Sequence, residues 1–286
     1  MAPLKFCANI SWLFTELPDI SHRIHAAASA GFQAVEAAWL YDSDLKELKE
    51  ATAAAGVEVV LINTPPGDVK AGDLGLGAVP GREAEFRQGL LLALEYAKAL
   101  DCKRIHLMAG RIPVGSQRKA VVKEMEAIFV QNLTYAADIL SKEGITGLIE
   151  PINTKITDPR YFLDCPHQAA VILDKVGQPN IKLQMDIFHW QIMDGNLTQN
   201  IIKYFPIIGK IQKERKNQHH SGGNTDEICM VQQSKRLDWV SQVIYRLLRF
   251  PAGTSLTVQE SSTTPTCSTH WKNMGTWDTL AVNTSH

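Results

Sequence analysis

The chain has 286 residues, 45% hydrophobic and 21% charged, enough apolar sequence to bury a large core as one α/β barrel or two smaller domains. Its formal net charge of -1 supplies no field for steering toward nucleic acid or an anionic membrane, so neither is expected as a partner. There is no basic-then-apolar leader and no run of about 20 apolar residues, and the five cysteines are scattered without a C-x-x-C pair, which together predict a cytoplasmic protein with reduced thiols.

Short apolar runs of strand length alternate with helical patterns from the start. KFCANISW (5–12) precedes a helix over 19–30 that stops at Gly31, and AVEAAWL (34–40) precedes one over 43–55 that stops at Gly56. VEVVLINTP (57–65) leads through a loop to a long helix over 82–100, and RIHLMAG (104–110) leads to another over 118–143. ITGLIEPIN (145–153), IKLQMDIFHW (181–190) and PIIGKIQ (206–212) supply the fifth to seventh strands, with helices over 167–177 and 194–204. Such a succession favours a parallel sheet with right-handed crossovers closed into a (β/α)8 TIM barrel.

The rhythm is lost after Gln212. KERKNQHHSGGNTDEICMVQQSKR (213–236) reads as polar, LDWVSQVIYRLLRF (237–250) as amphipathic, and the remainder is rich in Ser and Thr. The expected organisation is a barrel domain over 1–212 and an atypical, partly disordered tail over 213–286, with the eighth strand missing or replaced by tail sequence. Glycines in GLGAVPGR (75–82) do not make a dinucleotide loop, because the strand ends about ten residues earlier and Pro80 interrupts, so they predict a flexible loop that closes over the barrel mouth.

Polar residues gather at the C-terminal ends of the predicted strands, the active-site face of such a barrel: Asn9, Glu36, Asn63, His106, Glu150, Asn153, Asp186, His189 and Gln212. Singly, each has a bland explanation as a helix cap, an ion-pair partner or a satisfied core histidine. Jointly they fit a site better, because barrel interiors are normally filled by Val, Ile and Leu. Glu150, Asp186 and Gln212 offer two carboxylates and an amide oxygen, hard ligands suited to Mg²⁺ or Mn²⁺. A divalent ion so held can chelate a hydroxy-carbonyl substrate and stabilise the enediolate that forms when a carboxylate removes an α-proton. His189 and His106 are placed to contact that substrate. Asp186 poses the sharpest local question: an acid ending a buried strand either caps the next element or belongs to the site.

IHLMAGR (105–111), GLIEPINT (147–154), QMDIFHWQIMDGN (184–196), INTPPGD (62–68) and GLGAVPGR (75–82) resemble hydroxypyruvate isomerases of the xylose-isomerase-like barrel superfamily, over about residues 4–212. The resemblance implies an isomerase interconverting hydroxypyruvate and 2-hydroxy-3-oxopropanoate. It also implies Glu150 as catalytic base and metal ligand, Asp186 and Gln212 as further ligands, and His189 beside substrate. Where that family continues with a Pro-Gly-Arg loop and a final strand ending Cys-Glu-Tyr, neither string follows Gln212 here. SLTVQE (255–260), after the helix-like 237–250, is the segment with the right order to fill the slot between first and seventh strands and to bring Glu260 near Glu150 as second acid/base. Without it the site keeps a single carboxylate base, and the chain becomes a catalytically impaired variant that retains a ligand pocket. Independently of the tail, a ketose 3-epimerase of the same superfamily is the nearest enzymatic alternative. The sequence leaves self-association into a homo-oligomer open.

Overall fold

Helix ends are set by local signals that the sequence carries. The structure, a computed structural model, describes residues 6–216 and 225–231, with side chains over 7–211. Helix α1 spans Ile20–Ser29; α2 (Leu45–Ala55) begins where the Asp44 side chain accepts the Glu47 backbone N–H at 2.9 Å and ends at Gly56, whose φ of 66° closes the last turn. Pro166 opens α5 (Pro166–Val176), where its missing N–H costs nothing, and Gly177 ends it in the same left-handed conformation. The longest helices, α3 (Glu83–Ala99) and α4 (Arg118–Lys142), follow the third and fourth strands.

Seven strands run parallel in chain order: β1 (Phe6–Asn9), β2 (Ala34–Ala37), β3 (Glu58–Asn63), β4 (Arg104–His106), β5 (Thr146–Ile149), β6 (Ile181–Asp186) and β7 (Ile208–Lys216). β2, β3 and β6 are buried on both faces, between barrel interior and helical layer, which is why they read as near-continuous apolar runs. Ile62, Ile105, Leu107, Ile149 and Leu183 belong to one contiguous core with Leu90, Phe129, Leu133 and Leu140 of α3 and α4. Each such side chain contributes about 1.5–3 kcal/mol on burial. Among the described residues no helix is long and apolar enough to cross a membrane.

The barrel closes, by a route the sequence reading passed over. Strand β8 (Thr225–Val231) lies between β7 and β1 and is antiparallel to both, with Gln212 opposite Cys229 and Cys7 opposite the same residue on the other side. The polar stretch after Gln212 thus contains the closing strand, and the slot for which SLTVQE (255–260) was the candidate is already filled; Glu260 itself lies outside the described residues. Pairing β8 with both neighbours satisfies the backbone groups that a seven-stranded barrel would leave on two open edges.

A second departure lies at the end of β6. The apolar run continues to Trp190, yet the strand stops at Asp186, because its Oδ1 accepts the backbone N–H groups of Phe188 (2.7 Å) and His189 (3.4 Å) and starts helix α6 (Ile187–Met193). A further helix, α7 (Leu197–Tyr204), precedes β7.

Candidate active site

The strand ends bring three predicted residues to one place. Glu150 follows β5 directly, Asp186 ends β6, and His189 sits in the first turn of α6; one ligand atom from each lies within 4.8 Å of the others, and all three are buried. Asp186 Oδ1 caps α6, while Oδ2 lies 3.9 Å from His189 Nε2. Capping is therefore the means by which the carboxylate is aimed.

The protonation of His189 follows from its neighbour. Asn153 Oδ1 accepts the backbone N–H groups of Ile156 (3.0 Å) and Thr157 (3.1 Å), which fixes the amide so that Nδ2 faces His189 Nδ1 at 2.8 Å. Since an amide NH₂ can only donate, Nδ1 accepts, and the neutral ring carries its proton on Nε2, the atom facing Asp186. A protonated Nε2 is a donor toward a substrate oxygen rather than a metal ligand.

His106, the last residue of β4, is 2% exposed, with Nδ1 3.6 Å from Glu150 Oε2 and Nε2 without a hydrogen-bond partner among the described residues. Burial above all, and then the charge of Lys210, push its pKa down from 6.5 to about 3, so the ring is neutral. Because the folded value is depressed, the unfolded chain binds a proton that the folded chain refuses as pH falls from 6.5 toward 3. Stability present above pH 6.5 is then lost, at about 1.4 kcal/mol per pH unit from this group. Urea denaturation at pH 7, 6 and 5 should show a shallower loss for His106→Asn than for the parent chain; parallel losses would mean that His106 is charged in the folded protein.

Two polar residues inside the barrel escaped the sequence reading. Gln184, two positions before Asp186 on β6, donates from Nε2 to Glu150 Oε2 at 3.0 Å. Its register neighbour Lys210 is fully buried and ion-paired with Glu36, which also accepts from Asn9 Nδ2 at 3.0 Å. The available signal was the two-residue period of a strand: Gln184 shares a face with Asp186, and Lys210 lies two positions before Gln212 in the sequence. A buried lysine so paired is satisfied, whereas removing either partner would strand a charge in the interior.

Of the proposed metal set, Glu150 and Asp186 are brought together, and Gln212 pairs with Asp186 in the β6–β7 register. The Gln212 side chain, like Glu260, is outside the described ones. Two hard carboxylates converging at the strand ends fit a hard divalent cation.

The expected flexible loop is held against β4's extension at Gly75 and Gly77, while Gly81 is exposed. Gly77 N–H donates to Met108 O (3.0 Å), Ala78 N–H to Ala109 O (2.7 Å), and Asn132 Nδ2 to Gly77 O (2.9 Å). Gly75, at φ 96°, passes so close to β4's extension that a Cβ there would sit 2.4 Å from Met108 Cβ. Gly75 and Gly77 permit close backbone approach; the tip around Val69, Lys70 and Ala71 is exposed as well.

Residues 24–226 match the family described as "Xylose isomerase-like TIM barrel". The chain belongs to that family. Within the xylose isomerase-like barrels, it is 68% identical over 228 residues to a Danio rerio protein named "Putative hydroxypyruvate isomerase", covering 80% of this chain and 83% of that one. It is 41% identical over 225 residues to the hydroxypyruvate isomerase of Escherichia coli (strain K12), covering 79% and 84%. A solved structure from Brucella melitensis, described as "AP endonuclease, family 2", superposes with a TM-score of 0.69 at 40% identity, covering 74% of this chain and 79% of that one. The resemblance read from the sequence motifs is thus a family relationship, and the barrel is the family's fold.

Proposed function

We propose that this chain is an isomerase of hydroxy-carbonyl acids that interconverts hydroxypyruvate and 2-hydroxy-3-oxopropanoate. The observation that carries the reading is the convergence of Glu150, Asp186 and His189 at the strand ends of a barrel whose relatives bear that activity in their names. The reaction moves one proton from C3 to the adjacent C2 and one from the C3 hydroxyl to the C2 oxygen. Glu150 takes the carbon-bound proton as general base and can return it to the neighbouring carbon on the same face. His189 donates from Nε2 to a substrate oxygen, its ring fixed by Asn153. His106, held neutral, borders the same pocket and contacts substrate without adding charge.

Glu150 and Asp186, with Gln212 from β7, would hold Mg²⁺ or Mn²⁺. When bound, such an ion supplies a Lewis acid that polarises the substrate carbonyl and offsets charge on the enediolate. No second acid/base is assigned, because the slot through which Glu260 was to reach Glu150 holds β8. A net charge of -1 argues against a nucleic-acid substrate, which would be held by clustered basic side chains. The scattered thiols support a cytoplasmic location, and among the described residues Cys7, Cys102 and Cys165 stand outside any disulfide.

The test is an assay of the purified chain on hydroxypyruvate, before and after chelation and with Mg²⁺ or Mn²⁺ restored. Turnover that vanishes on chelation and returns with metal is the expected result. Activity on five- or six-carbon ketoses in its place would identify a 3-epimerase, and ligand binding without turnover on either class would identify an impaired variant.

A further inference from the structure

We infer that Gln184 is the positioning residue for Glu150, fixing its carboxylate for metal binding and proton transfer; the inference rests on the role proposed for Glu150. Three observations carry it. Gln184 is 2% exposed and its Nε2 donates to Glu150 Oε2 at 3.0 Å, within ordinary hydrogen-bond length. His106, also beside that oxygen, stands at 3.6 Å, beyond that length, so of these two side chains the amide makes the hydrogen bond. Gln184 and Asp186 also lie two apart on β6, so one strand supplies the second carboxylate of the pocket and the group that orients the first.

The chemistry of an amide suits this place. Glutamine donates to a carboxylate without carrying a proton that can be lost, so the contact persists across the working pH range. A carboxylate at position 184 would instead set two acids against each other. Fixing one oxygen removes the rotational freedom that the Glu150 side chain would otherwise lose only on meeting metal or substrate. Residues that hydrogen-bond a metal-binding carboxylate typically change metal affinity or activity by about 10–100-fold when removed.

The experiment compares the full chain with Gln184→Met, which keeps volume and removes the donor. Gln184→Asn, which keeps the amide and withdraws it by one methylene, is the second variant should Gln184→Met fail to fold. Isothermal titration with Mn²⁺ alone reads metal affinity, and steady-state kinetics on hydroxypyruvate reads kcat and KM. Expected in either variant is a Mn²⁺ Kd raised about 10–100-fold and a kcat reduced by a similar factor, with KM nearly unchanged. Parent-like Mn²⁺ affinity and kcat in a folded variant would overturn the inference while leaving the proposed function standing. A parent chain that binds Mn²⁺ without isomerising hydroxypyruvate, and loses affinity in the variant, would overturn the function and support the positioning role. A parent that binds no Mn²⁺ would overturn both.

Discussion

Glu150→Gln lowers kcat on hydroxypyruvate by about a thousandfold or more, while the melting temperature stays within about 4 °C of the parent. The size of the effect follows from two losses at one atom group. A positioned general base is worth about 10²–10⁴ in rate, and an amide cannot take the carbon-bound proton at any pH. The same substitution removes one of the two carboxylates that converge in the pocket, so metal affinity falls as well. Stability is spared because glutamine matches the volume of glutamate and its amide oxygen can accept from Gln184, which now donates to Glu150 Oε2 at 3.0 Å. Steady-state kinetics with a thermal melt checks both halves. A variant with kcat within about tenfold of the parent would remove Glu150 from the role of base.

The fold was legible wherever a segment's period and its end signals agreed. Helices α2 and α5 lie within a residue or two of the expected ranges because Gly56 and Gly177 stop them, an effect of backbone conformation that needs no tertiary context. Strand β8 was illegible because TDEICMV is short, lies among charged and polar residues, and pairs antiparallel with β7, against the parallel order of the other strands. Helix α6 was read as strand because IFHW continues the apolar run, and only the capping bonds of Asp186 show where strand becomes helix. In the site, Glu150, Asp186 and His189 could be named because acids and histidines at strand ends are conspicuous against a barrel's usual Val, Ile and Leu. Gln184 and Lys210 were not, because a single polar residue inside an apolar strand gives no hint of which partner it meets across the barrel. That partner is fixed by register and closure, which belong to the whole sheet.

Asp186 separates structure from chemistry in one position, and two substitutions there should part company. Asn is as good a helix N-cap as Asp, so Asp186→Asn keeps an oxygen to accept from Phe188 and His189 and melts with the parent. Asp186→Ala removes the acceptor, costs about 1 kcal/mol and lowers the melting temperature by about 2–4 °C. Both lose the negative charge that faces His189 Nε2 across 3.9 Å and completes the carboxylate pair with Glu150, so both lose at least about a hundredfold in kcat. The diagnostic variant is Asp186→Asn, which should be folded and inactive together. Near-parental turnover there would make the acid at the end of β6 a helix cap and nothing more. A melting temperature as low as that of Asp186→Ala would instead show that the charge, and not the capping oxygen, holds the strand-to-helix turn in place.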